Sequence, residues 1–257
     1  MSRLVVKDVS IRYGERNAVT SASFVIGGPG VVAMIGPNGS GKTTLLRGLL
    51  GLVPVTGRVE WFSDAGAICD PRRLAMHASY LAQTPSAVAG QTVAQTILTG
   101  RYARRGTFDF TDTPLDEARV HAIAAELRID DLLGRRLESL SGGQRQRVFL
   151  ARCLAQETPT LLLDEPATFL DLRHQIELYE QLRRLAREMG KTILMASHDL
   201  NLAATHADRM LVMTEGRIVA DGPPDDVLTT ELLHRVYGVR MKRIDVDGEP
   251  HFVVART

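Results

Sequence analysis

Three stretches of this chain are apolar at every position instead of alternating: Val31-Val32-Ala33-Met34-Ile35, Leu161-Leu162-Leu163 and Ile193-Leu194-Met195-Ala196. An unbroken run leaves no polar face for water, so each reads as a strand buried on both sides, as in the middle of a parallel sheet. Residues 3–12, with Leu4, Val5, Val6, Val9 and Ile11, read as an early strand ending in the turn-like Tyr13-Gly14-Glu15-Arg16-Asn17, and residues 18–26 as its partner. Residues 58–62 and 78–83 are further strand candidates, the second ending on Gln83, while residues 210–213 and 217–220 flank Thr214-Glu215-Gly216 as a hairpin. Beyond Gln83 the period changes. Residues 93–98 and 117–127 have helical spacing with no strand-like run between them, so residues 84–153 read as an all-helical insertion. Within it, residues 104–114 read as a polar loop whose arginines, Arg104 and Arg105, are solvated. Residues 171–187 predict an amphipathic helix with Leu172, Ile176, Tyr179, Leu182, Leu185 and Ala186 on its apolar face, stopped by Gly190.

The chemistry sits where these elements end. Gly36-Pro37-Asn38-Gly39-Ser40-Gly41-Lys42-Thr43-Thr44 follows the first buried run and opens into a helix, with Gly36, Gly41, Lys42 and Thr43 filling the four fixed positions of a phosphate-binding loop. Residues with little side chain let successive N–H groups and the positive end of the helix face a polyphosphate. Lys42 adds a full charge, and the Thr43 hydroxyl is placed to ligate Mg²⁺. Asp164 and Glu165 end the second run, on the sheet edge where the loop also lies. Asp164 suits a Mg²⁺ ligand and Glu165 the group that polarises an attacking water. His198 lies just past the third run, a candidate γ-phosphate contact. Ser141 with Gln144 three residues later is a capping box that starts a helix running to Ala155, and the intervening Gly142-Gly143 leave N–H groups uncovered as a second anion site. Tyr13 precedes the phosphate loop and could stack on a purine or simply be packed or half-exposed.

Composition narrows the partners. In 257 residues, 44% hydrophobic content suits one large domain or a core with one insertion. With 31 basic and 30 acidic residues the net charge is +1, which provides no footprint for nucleic acid or an anionic membrane. Cys69 and Cys153 lack metal-like spacing and fit small hydrophobes in a reducing cytoplasm. No apolar run is long enough to span a bilayer, and the first eight residues carry no secretory pattern, so work at a membrane is expected from its side.

Taken together, the loop at 36–44, Gln83, Leu140-Ser141-Gly142-Gly143-Gln144, Leu163-Asp164-Glu165 and His198 occur in the order and spacing of the ATP-binding cassette (ABC) ATPases, which the chain resembles over nearly its whole length. The LSGGQ stretch is the most specific of these. The resemblance implies an α/β fold: a phosphate-loop core with a mostly parallel sheet and an N-terminal antiparallel β part (residues 1–83 and 154–222), a helical subdomain at 84–153, and a tail at 223–257. It implies that Tyr13 stacks on adenine, that residues 36–44 bind the phosphates, and that Thr43, Gln83 and Asp164 serve Mg²⁺. Lys42, Gln83, Glu165 and His198 are then catalytic, Glu165 as base and His198 as switch. Ser141, Gly142, Gly143 and Gln144 close on ATP bound to a second copy, and Asp171 lies at that homodimer interface. Ala167 stands where the family commonly has threonine. Gly100-Arg101-Tyr102, residues 198–203 with 207–209, and Val236-Tyr237-Gly238-Val239 resemble importers of iron(III)-siderophores, haem and vitamin B12; Ala103, where siderophore members tend to show proline, leaves the cargo open. Such an importer implies ATP and Mg²⁺, a membrane permease, indirectly a solute-binding protein, no nucleic acid, and a place on the cytoplasmic side of the inner membrane. The alternatives are an exporter or lipid-transport cassette, and a non-transport ABC ATPase acting on nucleic acid.

Overall fold

The computed structural model describes residues 2–86, 88–104, 112–246 and 248–255. Two sheets organise it. β1 (Arg3–Tyr13) pairs antiparallel with β2 (Arg16–Gly27), and β4 (Thr56–Ser63) and β5 (Gly66–Ile68) extend this sheet in the order β2-β1-β4-β5. The second sheet combines β3 (Gly30–Ile35), β6 (Ala78–Leu81), β7 (Thr160–Asp164), β8 (Thr192–Ala196), β9 (Arg209–Thr214) and β10 (Arg217–Gly222) in the order β10-β9-β3-β8-β7-β6. Its neighbours run parallel except for the β9–β10 hairpin.

The apolar runs occupy the centre of that sheet, and strand alternation divides them between two cores. Val31, Ala33, Ile35, Leu161, Leu163, Ile193, Met195, Met210 and Val212 face one core. Val32, Met34, Leu162, Leu194, Ala196, Leu211 and Met213 face the other, shared with the four-stranded sheet and with α1 (Lys42–Leu49). A polar residue within these runs would therefore be desolvated whichever way it pointed, and the polar residues of β7 and β8, Thr160, Asp164 and Thr192, stand only at the strand ends. The indole of Trp61 ties the second core to α1 by donating to the Leu49 carbonyl at 2.8 Å.

The first core is closed by helices. After the short α2 (Pro71–Leu74) come α3 (Val93–Leu98), α4 (Pro114–Glu126) and α5 (Gly142–Ala155), then α6 (Leu172–Met189) and α7 (Leu200–His206). No strand appears among the described residues between Gln83 and α5. Both signals at the start of α5 are satisfied: the Ser141 hydroxyl accepts from the Gln144 N–H at 3.2 Å, and the Gln144 side-chain oxygen Oε1 accepts from the Ser141 N–H at 3.1 Å. A buried ionic knot joins the helices at their base. The Arg101 guanidinium donates to Asp116 Oδ1 at 2.8 Å and the Ala155 carbonyl at 2.9 Å, and reaches Glu157 at 2.7 Å, where Arg119 also pairs at 2.7 Å. Past β10, α8 (Pro224–Val227) and α9 (Thr230–Tyr237) precede the hairpin of β11 (Met241–Val246) and β12 (Glu249–Val254), whose Phe252 backbone is bracketed by the Asn201 amide at 2.8 and 3.3 Å.

Four expectations need correction. β6 stops at Leu81, so Gln83 lies two residues beyond the strand, on a bend. Arg104 belongs to a 3₁₀ turn and donates to the Gln156 and Glu157 carbonyls at 3.4 and 3.3 Å, so it is no mere solvated charge; Arg105 lies outside the described residues. Leu172 and Ile176 do not join the core: Leu172 is 67% exposed, because the inner face of α6 is Leu178, Tyr179, Leu182, Leu185 and Ala186. Cys69 is exposed, whereas Cys153 is the small buried hydrophobe that both were expected to be.

Candidate active site

The phosphate loop is fixed by its surroundings. Gly36 has φ +150°, and a Cβ there would run into the Met213 carbonyl oxygen; Gly41 has φ +104° and lies under the Ala18 carbonyl. Neither position tolerates a side chain, so these glycines let the loop lie between β9 and β2. Gly41 caps α1 with no side chain on the free N–H groups, which leaves the positive helix end open to an anion. The Lys42 ammonium is buried beneath the loop and donates to the Gly36 and Pro37 carbonyls at 2.8 and 3.2 Å. Burial lowers its pKa, against the opposing pull of the Glu165 and Asp164 charges.

Asp164 is fully buried at the end of β7. Its Oδ1 accepts from the Thr43 hydroxyl at 2.9 Å and its Oδ2 from the Tyr80 hydroxyl at 3.3 Å. Burial pushes the Asp164 carboxyl up, the Thr43 hydrogen bond pulls it down, and the neighbouring Glu165 charge pushes it up again. The same burial, with the Asp164 charge, pushes the Tyr80 phenol up to about 12. Glu165 follows with φ +50°, a left-handed backbone that turns its side chain out of the sheet. Its Oε2 accepts from the Gln83 amide at 2.9 Å and from the Thr168 hydroxyl at 3.0 Å, and lies 3.5 Å from His198 Nδ1.

These groups share one cleft of about 730 Å³, lined by Tyr13, Arg16, Ala18, Asn38 through Thr44, Gln83, Glu165, Thr168 and His198. That volume suits a nucleotide. Tyr13 is 49% exposed at its mouth, a ring with a free face. Gly36, Pro37 and Asp164 do not line it, but bond the lining residues Lys42 and Thr43.

A family model described as ABC transporter matches residues 19–168. The chain is 38% identical to the ferric enterobactin transport ATP-binding protein FepC of Escherichia coli, over 97% of this chain and 93% of that one. The chain belongs to the ABC transporter family. Within it, this is an ATP-hydrolysing cassette. It is also 40% identical to the hemin import ATP-binding protein HmuV of Nocardia farcinica, over 86% of this chain and 76% of that one. A solved metal-chelate type ABC transporter, in an inward-facing conformation, superimposes with a TM-score of 0.86 at 26% identity, covering 100% of this chain and 98% of that one.

The remaining expected site residues of the cassette lie elsewhere. Ser141, Gly142, Gly143 and Gln144 do not line the cleft; Gly142 and Gly143 pack against Phe169 and Leu170 instead, and Phe169 stays 52% exposed. Asp171 caps α6, accepting from the His174 N–H at 3.0 Å with His174 Nδ1 2.7 Å away, and these contacts hold its carboxyl below the usual range. The sequence reading passed over Arg16, Tyr80 and Thr168. Tyr80 is visible in principle, because β6 ends beside β7 and a long phenol one residue from its end can reach the neighbouring carboxylate. Thr168 carries a weaker signal, a hydroxyl three residues after the carboxylate across a turn. Among the described residues no helix is long and apolar enough to cross a membrane.

Proposed function

We propose that this cassette, held on the cytoplasmic side of the inner membrane, powers the import of an iron chelate, a siderophore complex or haem, through a separate integral-membrane permease, with a solute-binding protein delivering the cargo. The names of the FepC and HmuV relatives and the metal-chelate type structure support that cargo class. The observation that carries the chemistry is the convergence of Gln83, Thr168 and His198 on the Glu165 carboxylate at the mouth of the phosphate loop.

ATP enters with adenine against Tyr13 and its phosphates over residues 36–44. Lys42 exchanges the Gly36 and Pro37 carbonyls for phosphate oxygens, a charge-assisted bond replacing neutral ones. The oxygen donors fit Mg²⁺: Thr43 and Asp164 already touch, Gln83 lines the same cleft as Thr43, and the remaining ligands of so hard a cation come from phosphates and water. When bound, that ion neutralises charge on the β- and γ-phosphates. Glu165 accepts the proton of the attacking water, while His198 holds the γ-phosphate.

Ser141, Gly142, Gly143 and Gln144 lie outside the cleft, so the Gly142 and Gly143 N–H groups, flanked by the Ser141 and Gln144 capping box, serve the nucleotide of a second copy in a head-to-tail homodimer, with Asp171 at the interface. Motion of Gln83 and the helical subdomain at 84–153, relative to the core at 1–83 and 154–222, transmits ATP binding to the permease. Purification from the native membrane tests the reading. The expected result is a co-purifying permease whose binding protein takes up a ferric siderophore or haem; a permease that exports lipid, or a binding protein for vitamin B12, overturns the cargo.

A further inference from the structure

Glu165 has two carboxylate oxygens, and every described donor falls on one of them. Gln83 and Thr168 bond Oε2, and His198 lies nearest that same oxygen. Thr168 differs from the other two. Gln83 and His198 are borne by separate segments that nucleotide and the helical subdomain can pull away, whereas Thr168 sits in the same turn as Glu165. Its N–H donates to the Glu165 carbonyl at 3.3 Å and its hydroxyl to Oε2, so backbone and side chain hold Glu165 from one residue. The turn is itself anchored. The Glu165 N–H donates to the Ala196 carbonyl at 3.1 Å, and the Gln175 amide from α6 donates to the Ala167 and Leu170 carbonyls at 3.3 and 3.1 Å. Glu165 adopts φ +50°, a conformation a side chain rarely takes, so its direction depends on these outside contacts.

From this we infer that Thr168 is a positioning residue for hydrolysis: its hydroxyl occupies Oε2 throughout the cycle and leaves Oε1 as the oxygen that takes the proton. The inference rests on the reading of Glu165 as base. In the step it serves, a water proton passes to Oε1 and the water oxygen bonds to the γ-phosphorus. The bond from that phosphorus to the bridging oxygen breaks, with its electron pair leaving on ADP, and phosphate is released. Thr168 exchanges no atom. It restricts one rotation, so that the lone pair meeting water is in place when Gln83 and His198 turn to the nucleotide.

The test uses the full chain and, where hydrolysis needs it, the permease complex. Thr168→Val keeps the shape and removes the hydroxyl; the expected result is a kcat lowered about 10- to 100-fold, as for loss of a hydrogen bond to a charged group, with KM for ATP little changed. Thr168→Ser restores the hydroxyl and is expected within about threefold of the parent chain, since only a methyl group is lost. In a Glu165→Gln background, measured in single turnover, Thr168→Val is expected to cost nothing further, because its effect runs through the carboxylate. A parent-like kcat for Thr168→Val beside an inactive Glu165→Gln overturns the positioning role and leaves the base intact. An equal loss from Thr168→Val in both backgrounds overturns it too, by showing a purely structural effect. A fully active Glu165→Gln overturns the base reading itself.

Discussion

The two helix starts proposed to face anions in this cassette are built in opposite ways. At α1 the free N–H groups lie in a cleft that one chain completes: Lys42 beneath, Thr43 on Asp164, and Glu165 held by Gln83 and Thr168. At α5 the start is closed by a side-chain capping box that α1 lacks, and among the described residues its two glycines meet only Phe169, itself half exposed, and Leu170. The first region is a site; the second is a surface in need of one. That asymmetry is the physical argument for a reaction centre shared between two chains, because hydrolysis needs donors on both sides of the γ-phosphate.

The comparison can be broken most severely at the assembled edge. Glu165→Gln keeps the loop, the lysine and the helix end but removes the proton acceptor, so turnover is expected to fall by about 10²- to 10⁴-fold with ATP binding retained. Undiminished phosphate release would contradict it.

That edge was also the most legible part of the sequence. Short unbroken apolar runs bounded by turn residues read as central strands, which they are, and loop glycines, Asp164 and Glu165 lie at the ends of those runs. The less legible parts fail for a common reason: periodicity reports that a face is apolar, not what covers it. Leu172 and Ile176 continue the α6 stripe but stay outside the core, exposed to solvent. Arg104 reads as a solvated charge because the carbonyls it bonds lie more than fifty residues away, at Gln156 and Glu157. The tail offers little to read, since β11 and β12 leave Ile244, Val246, Val253 and Val254 exposed and bury Phe252.

A smaller effect sharpens the comparison from the other side. The helices that carry the α5 cap are held by Arg101 and Asp116, far from the cleft. The Arg101 hydrogen bond, against a burial cost and with help from Thr113, draws the Asp116 carboxyl from 3.8 down to about 2. A depressed carboxylate stabilises the fold above its ordinary pKa, and that contribution fades as pH falls through the depressed value. Asp116→Asn is therefore expected to lower the melting temperature at neutral pH, with the gap to the parent chain closing between about pH 4 and pH 2. A gap of constant size across that window would show that the knot contributes through packing alone.

The shared reaction centre is tested most directly by the mass of the Glu165→Gln chain in solution, measured by light scattering with and without ATP. The account expects one chain mass without nucleotide and twice that mass with it, and a return to the single mass when Ser141→Arg is added to block the α5 cap. A chain that stays at single mass under saturating ATP, or a dimer indifferent to Ser141→Arg, contradicts it.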